Sequence, residues 1–363
     1  MNYKSSGNFR TGRRGARTFV SSAILDDKRT SSIAVIVAVL ALALITCILF
    51  VTFGDIFVFP TINWGVGGHL GNGYDERGPY ATVTKKNNFV AKEGGSSLAD
   101  ATLYSERAIL VRLSDMSTVA HKNADEKMYP ASMTKVMTVV VALDHIKDID
   151  AKYLIKKSVI SNMPEGASNA GLTEFVGQSL SLRDLLYGVT YLSAADSVLC
   201  LVDALGFTMD EFVSLMNDKA KEIGLKNTTF GGAIGMDSEN NQSTCREIAA
   251  IMAYAMENPY CRELFGGTKY NTQAVKDLYY NATLHTSLKE FNKTTETVLD
   301  GYRLVAAKSG FEVLAGYCLV SYIEDSATGE GYVLVTAGAE AYKDPYRKTR
   351  IYDMIEIFDK VMP

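Results

Sequence analysis

The sequence predicts an α+β protein, with an antiparallel sheet packed against helices and one N-terminal transmembrane helix preceding them. Three observations support this fold class. An uncharged apolar run of 21 residues lies near the N-terminus, strand patterns occur at both ends of the remaining chain, and amphipathic helix patterns fill its middle. Strands from distant segments, separated by helices, favour a single sheet whose edges are far apart in sequence.

The apolar run is Ile33–Phe53, "IAVIVAVLALALITCILFVTF". A helix of this length spans roughly 31 Å, which is enough to cross a hydrocarbon core. A buried helix and a cleaved signal peptide are the alternatives, but the run is long for either, and "GDIFVFP" follows it instead of a small-residue cleavage site. Seven Lys or Arg precede the run and none occurs in the next twenty residues. The positive-inside rule therefore predicts a single-pass protein of the cell membrane with a cytoplasmic N-terminus and an extracellular body.

Four segments are expected along the chain: a basic cytoplasmic tail (1–32), the transmembrane helix (33–53), a Gly-rich extracellular linker (54–95) and one folded domain (96–363). The tail holds seven basic and two acidic residues and has a net charge of +5. Because the whole chain has a net charge of −4, the rest of the chain has a net charge of −9. A body this acidic disfavours binding to nucleic acid, because phosphates require clustered Lys and Arg.

The elements of the folded domain can be predicted in chain order. A hairpin is expected over "AILVRL" and "TVAHKN", followed by a helix that begins at Ser132 after Pro130. Three amphipathic helices follow: "SLRDLLYGVTYL" capped by Ser181, "MDEFVSLMNDKAKEIGL" ending at Gly224, and "TCREIAAIMAYAMEN" ending before Pro259. A second hairpin, "AGYCLVSYI" with "GYVLVTAGA", and a last helix, "YRKTRIYDMIEIFDKVM", complete the domain.

The cysteines and histidines indicate neither a metal site nor a cofactor. The five cysteines are odd in number and show no CxxC spacing, and the four histidines are scattered without an HExxH pattern. We expect buried free thiols, although a disulfide among the last four cysteines remains an alternative.

The stretch "YPASMTKVMT" places Ser132 three residues before Lys135 at the start of a predicted helix. Residues i and i+3 share a helix face, so the amine can lie beside the hydroxyl. Serine needs such a neighbour to remove its proton, and the lysine must be kept neutral by desolvation or by a nearby cation. A pattern with two fixed positions also arises by chance about once or twice in a chain of this length, so its context must decide.

That context resembles the low-molecular-mass penicillin-binding proteins, specifically the serine D-alanyl-D-alanine carboxypeptidases of the S11 peptidase family. The resemblance covers about residues 98–363 and rests on three motifs in order. "YPASMTK" matches the SxxK element, "LSLRDLLYGVTYLSAADSVLC" matches the segment with the SxN element, and "AAKSGFEVLAGYCLV" matches the KTG element. It implies a β-lactamase/transpeptidase-like fold with a helical subdomain, and an enzyme that trims the terminal D-Ala from peptidoglycan stem peptides.

The resemblance also implies roles for individual residues. Ser132 is expected to form the acyl-enzyme, Lys135 to act as its base, and Ser193 to pass a proton to the leaving amine. β-Lactams, which mimic the D-Ala-D-Ala end, are expected to acylate Ser132 as covalent inhibitors. No cofactor is implied.

The third motif is implied to bind the substrate. Lys308 and Ser309 would hold the terminal carboxylate, and Gly310 would let the strand approach closely because it has no Cβ. The backbone N–H of Phe311 would complete an oxyanion hole with that of Ser132.

One position departs from the family. Where the family reads Ser-x-Asn, this chain reads Ser193-Ala194-Ala195, and alanine offers no hydrogen bond. A catalytically impaired homologue that binds stem peptides or penicillin is therefore an alternative to the carboxypeptidase. A β-lactamase is a second alternative, because Glu165 to Asn169 fit an ExxxN pattern, but that pattern precedes Ser193 instead of following it.

Overall fold

The computed structural model of the chain describes residues 77–271, 283–285, 299–340 and 349–362. The strands are β1 (Ser96–Ser97), β2 (Arg107–Arg112), β3 (Ser117–Lys122), β4 (Lys152–Leu154), β5 (Ser179–Ser181), β6 (Lys269–Asn271), β7 (Thr283–His285), β8 (Tyr302–Glu312), β9 (Gly316–Asp325) and β10 (Gly331–Ala339). The α-helices are α1 (Lys135–His145), α2 (Lys157–Ile160), α3 (Leu182–Tyr191), α4 (Ala195–Ala204), α5 (Met209–Ile223), α6 (Cys245–Met256), α7 (Pro259–Gly266) and α8 (Thr349–Val361). Short 3₁₀ turns occupy Ala131–Thr134 and Leu172–Phe175.

Six strands form the main sheet in the order β1-β3-β2-β10-β9-β8. Both predicted hairpins are present, as β2 with β3 and β9 with β10, and each pairs antiparallel. The predicted antiparallel sheet is confirmed except at its first strand, because the two-residue β1 pairs parallel with β3 and makes the sheet mixed. At the opposite edge of the described sheet lies β8, which carries the third motif.

The sheet buries both of its faces. One face packs Ile109, Val111 and Val333 into a core shared with α1 and α6, and the helical middle of the chain continues that core. The other face packs Leu110 and Leu334 against α8, whose contributions are Ile351, Met354 and Phe358. Alternating strand residues therefore enter two different cores, as the two-residue period of a strand requires.

Local sequence explains where the helices begin and end. The Ser181 hydroxyl caps α3 in a capping box with Asp184, and Gly224 ends α5 in the left-handed region at φ 93°. The helix predicted to end before Pro259 does so, because α6 ends at Met256. Pro259 itself is the first residue of α7, where its missing N–H is harmless, and Asn258 caps that helix.

Two predictions concern the chain before the sheet. Ile33–Phe53 lies outside the described residues, and so does Cys47. Among the residues that are described, no helix is both long enough and apolar enough to cross a membrane. Residues 77–95 fall within the predicted linker, yet Phe89 and Ala91 are buried in the first core.

The four cysteines of the described chain are free and buried, as predicted: Cys200, Cys245, Cys261 and Cys318. Burial raises the pKa of each thiol, which makes these groups unreactive.

Candidate active site

Ser132 lies in the 3₁₀ turn that leads into α1. The helix predicted to begin at Ser132 therefore becomes α-helical only at Lys135. The residue before the serine, Ala131, has φ 46°, a left-handed conformation that a non-glycine residue rarely adopts. Strained backbone of this kind concentrates at functional sites, where surrounding structure holds it in place. Here it turns the chain sharply just before Ser132.

Lys135 is 1% exposed, and its Nζ lies 3.0 Å from the Ser132 Oγ. The same Nζ donates a hydrogen bond to the Ile234 carbonyl, which fixes the amine from its other side. Burial lowers the pKa of Lys135 to about 7, and the charge of Glu312 partly opposes that shift. Desolvation, not a nearby cation, is thus what makes the neutral amine accessible. Near pH 7 a substantial fraction of Lys135 can accept the serine proton.

Lys308 joins the second and third motifs. Its side chain is 3% exposed, and its Nζ donates to the Ser193 Oγ at 3.1 Å and to the Ser309 carbonyl at 2.7 Å. Burial holds the pKa of Lys308 well below its usual range, and the charges of Lys135 and Arg350 lower it further. Ser193 has φ 55°, so it is also held in the left-handed region.

Gly310 sits against the nucleophile. A Cβ on this residue would lie 3.0 Å from the Ser132 backbone nitrogen and 3.0 Å from the Ala131 Cβ. The next residue, Phe311, is 45% exposed. The strand thus passes beside the nucleophile only because position 310 has no side chain. Six of the seven residues predicted for the site lie on the 3₁₀ turn, α1 and β8, and Ser193 joins them from the loop between α3 and α4 through its contact with Lys308.

Ala195 is the first residue of α4 and is fully buried. Its N–H donates to the Ser168 carbonyl at 2.7 Å, but its methyl group offers no polar atom to the site. The neighbouring Asp196 does not substitute for the missing amide. Its carboxylate accepts the N–H groups of Ala170, Leu172 and Ser197 at 2.8–3.0 Å and so holds the loop before α3.

The ExxxN pattern does not provide a base. Glu165 is exposed and forms no hydrogen bond with any residue that the structure describes. Its side chain therefore lacks the buried, fixed position that activation of a deacylating water requires.

Sequence reasoning missed four residues that touch or influence the site. Ile234 acts through its backbone carbonyl, so its side chain carries no signal, and Arg350 reaches Lys308 from the distant α8. Glu312 could have been found, because it follows Gly310 by two residues on the same strand. Asp237, which accepts the Leu314 N–H at 2.7 Å, could not, because only the fold brings its loop to β8.

The family model for D-alanyl-D-alanine carboxypeptidases of the S11 peptidases matches residues 95–340, which include all three motifs. The chain belongs to this family. The match confirms the resemblance drawn from the motifs and covers most of the described chain.

Among curated relatives, the chain is 30% identical over 166 residues to the D-alanyl-D-alanine carboxypeptidase DacF of Bacillus subtilis, covering 45% of this chain and 41% of that protein. It is 30% identical over 207 residues to DacC of Escherichia coli, covering 55% and 52%. The chain thus spans about half the length of these S11 relatives. Among solved structures, a cysteine-to-alanine mutant of the Streptomyces K15 DD-transpeptidase is similar, with a TM-score of 0.59 and 25% identity over 72% of this chain and 98% of that one. The penicillin-binding, transpeptidase-like α+β fold is confirmed.

Proposed function

We propose that this S11 protein is a membrane-anchored serine D-alanyl-D-alanine carboxypeptidase that removes the terminal D-Ala from peptidoglycan stem peptides. The observation that carries the proposal is the 3.0 Å contact between Ser132 Oγ and the buried Lys135 Nζ, next to the Lys308–Ser193 pair. Family membership and the names of the relatives support the substrate class.

Acylation begins when the neutral Lys135 amine takes the proton from Ser132 Oγ. The oxygen attacks the carbonyl of the penultimate D-Ala, and the carbonyl oxygen becomes an oxyanion. The backbone N–H groups of Ser132 and Phe311 would stabilise it, in a site where burial strengthens each hydrogen bond. The closeness of Gly310 to the Ser132 nitrogen supports this pairing of donors.

The C–N bond then breaks, and the leaving D-Ala amine takes up, by way of Ser193, the proton that Lys135 accepted from Ser132, which leaves Lys135 neutral again. Water then attacks the acyl-enzyme and gives a proton to Lys135. Lys135 passes this proton to Ser132 Oγ as the ester bond breaks, and a peptide shortened by one residue is released. Lys308 and the Ser309 hydroxyl would hold the terminal carboxylate. Because a bound anion favours the charged form of Lys308, substrate would restore the charge that burial suppresses.

The proposed membrane anchor is inferred from the sequence. The uncharged run Ile33–Phe53 and the seven basic residues before it support a single-pass anchor with the body outside the cell. Protease added to intact cells should remove the body and leave the basic tail protected. Full-length protein that survives this treatment, or a mature N-terminus just after the run, would contradict the topology.

A second candidate function follows from the buried Ala195. Without an amide at this position, the site would hold stem peptides or penicillin covalently and turn them over slowly or not at all. In that case the protein would act as a wall-binding homologue.

The direct test is D-Ala release from diacetyl-Lys-D-Ala-D-Ala by the full chain in detergent. We expect release by the unaltered protein and none from Ser132→Ala or Lys135→Ala. Penicillin binding without any D-Ala release would favour the binding homologue.

A further inference from the structure

Glu312 is the last residue of β8 and lies on the strand face that approaches Ser132. Burial alternates along the strand, so that Lys308 and Gly310 face inward while Ser309 and Phe311 are more open. By the same two-residue period, Glu312 continues the inward face of Lys308 and Gly310. Glu312 raises the pKa of Lys135, so its carboxylate is electrostatically coupled to the base. It forms no hydrogen bond or ion pair with the residues that the structure describes.

A second carboxylate, that of Asp237, stands beside Glu312. One of its oxygens accepts the Leu314 N–H at 2.7 Å, just beyond the end of β8. The other oxygen, Oδ1, is shielded from solvent and has no hydrogen-bond partner among the described residues. Asp237 also follows Ile234, whose carbonyl holds Lys135, by three residues. Both carboxylates therefore lie at the end of β8 that follows Gly310, and their charges interact.

Within the part of the chain that the structure describes, no Lys or Arg forms an ion pair with Glu312 or Asp237. Lys135 must be neutral to accept the serine proton, and in that state it no longer balances Glu312. Burial, together with the charge of Asp237, raises the pKa of Glu312, which means that the local environment disfavours its charge. A cationic group on a bound ligand would relieve this unfavourable charge.

The direction in which the peptide substrate lies along β8 determines which of its residues comes next to Glu312. In the proposed function the terminal carboxylate lies at Lys308 and Ser309, and the attacked carbonyl lies between Ser132 and Phe311. The rest of the peptide must then extend along β8 past Phe311. A strand advances about 3.3 Å per residue, so the residue before the D-Ala-D-Ala end reaches the level of Glu312.

We propose that Glu312, supported by Asp237, recognises a side-chain ammonium group on the residue that precedes D-Ala-D-Ala. This specificity rests on the proposed function and narrows its substrate class to stem peptides with a free amine at that position. Glu312 acts by ion pairing with the substrate and takes no part in bond making.

Two peptides that differ only at this amine test the proposal: Nα-acetyl-Lys-D-Ala-D-Ala and its Nα,Nε-diacetyl form. A hydrogen bond to a charged group is strong enough to favour the free amine by about tenfold in kcat/KM. Glu312→Gln should bring this ratio to about one. Any effect of the substitution on Lys135 acts on both peptides equally, so the ratio isolates recognition. Glu239→Gln, which removes an exposed carboxylate nearby, should keep the wild-type ratio.

A wild-type ratio near one, or a tenfold ratio that persists in Glu312→Gln, would overturn the proposal. If neither peptide is hydrolysed, protection of Ser132 against fluorescent penicillin gives a separate answer. Better protection by the free-amine peptide, abolished in Glu312→Gln, would support the specificity while the carboxypeptidase activity fails. Equal protection by both peptides would reject the specificity, and a Ser132 that no penicillin labels would reject both proposals.

Discussion

Gly310 lies so close to Ser132 that a Cβ on the glycine would come within 3.0 Å of the serine backbone nitrogen. Real Cβ atoms do not pack comfortably at that distance against backbone, so the strand or the nucleophile turn would have to move. The two segments that would form the oxyanion hole are thus held together by the absence of a side chain.

Gly310→Ala should therefore lower the second-order rate constant of acylation by benzylpenicillin by about 10- to 1,000-fold, because the donor pair is displaced. The rate can be followed with a fluorescent penicillin. Gly232→Ala is the matched control, since a Cβ at that position meets no atom within 4 Å. An unchanged acylation rate in Gly310→Ala would show that the site works with a wider spacing between β8 and the turn that holds Ser132, and would contradict the need for glycine at position 310.

The acylation rate should depend on pH through Lys135. Its pKa is lowered to about 7 and its neutral form is the base, so the rate should rise with pH and level off above an inflection near 7. Lys135→Ala should lose this dependence along with at least about 1,000-fold in rate. A flat profile between pH 5.5 and 8.5 in the unaltered protein would contradict this role.

The same lysine should destabilise the fold at neutral pH. Its pKa is lower in the folded state than its usual 10.5, so between pH 7 and 10.5 the unfolded chain binds more protons. The destabilisation caused by burying Lys135 is fully present below pH 7 and decreases as the pH rises from 7 to 10.5. Lys135→Met should therefore raise the free energy of unfolding more at pH 7 than at pH 9.5, as measured in urea. Lys152→Met, at an exposed position of β4, should show no such difference.

Ala195→Asn tests the departure in the second motif. The amide can bond the substrate backbone and Lys135, and we expect D-Ala release to rise about tenfold. Because Ala195 is fully buried, the larger side chain should also lower stability by about 1–3 kcal/mol. Ala195→Val separates the two effects, since it adds volume without a hydrogen bond. If the unaltered protein already releases D-Ala at rates that are ordinary for the family, and Ala195→Asn lowers that rate, then alanine is a functional replacement for asparagine at this position.

The motifs allowed much of the site to be predicted because each places its residues on one short segment. Ser132 and Lys135 are one turn apart, and Lys308 to Phe311 are consecutive. The contact of Lys308 with Ser193 joins residues 115 apart in sequence. The sequence did not predict that contact, because spacing within each segment says nothing about how the segments meet.

Other features had no local signal. The Ile234 carbonyl that holds Lys135 belongs to an apolar residue in a loop, and any residue type supplies a carbonyl. The parallel pairing of β1 rests on two residues, too few for a strand pattern to be recognised. Arg350 influences Lys308 only because α8 packs against the sheet.

Mass spectrometry of the intact protein after incubation with benzylpenicillin tests whether Ser132 is the nucleophile. We expect a mass increase equal to one penicillin, located on the peptide that contains Ser132 and stable for a long time, because Glu165 is exposed and does not activate a deacylating water. Ser132→Ala should remain unmodified. An unchanged mass, or an adduct on another residue, would contradict the assignment of Ser132 as the nucleophile.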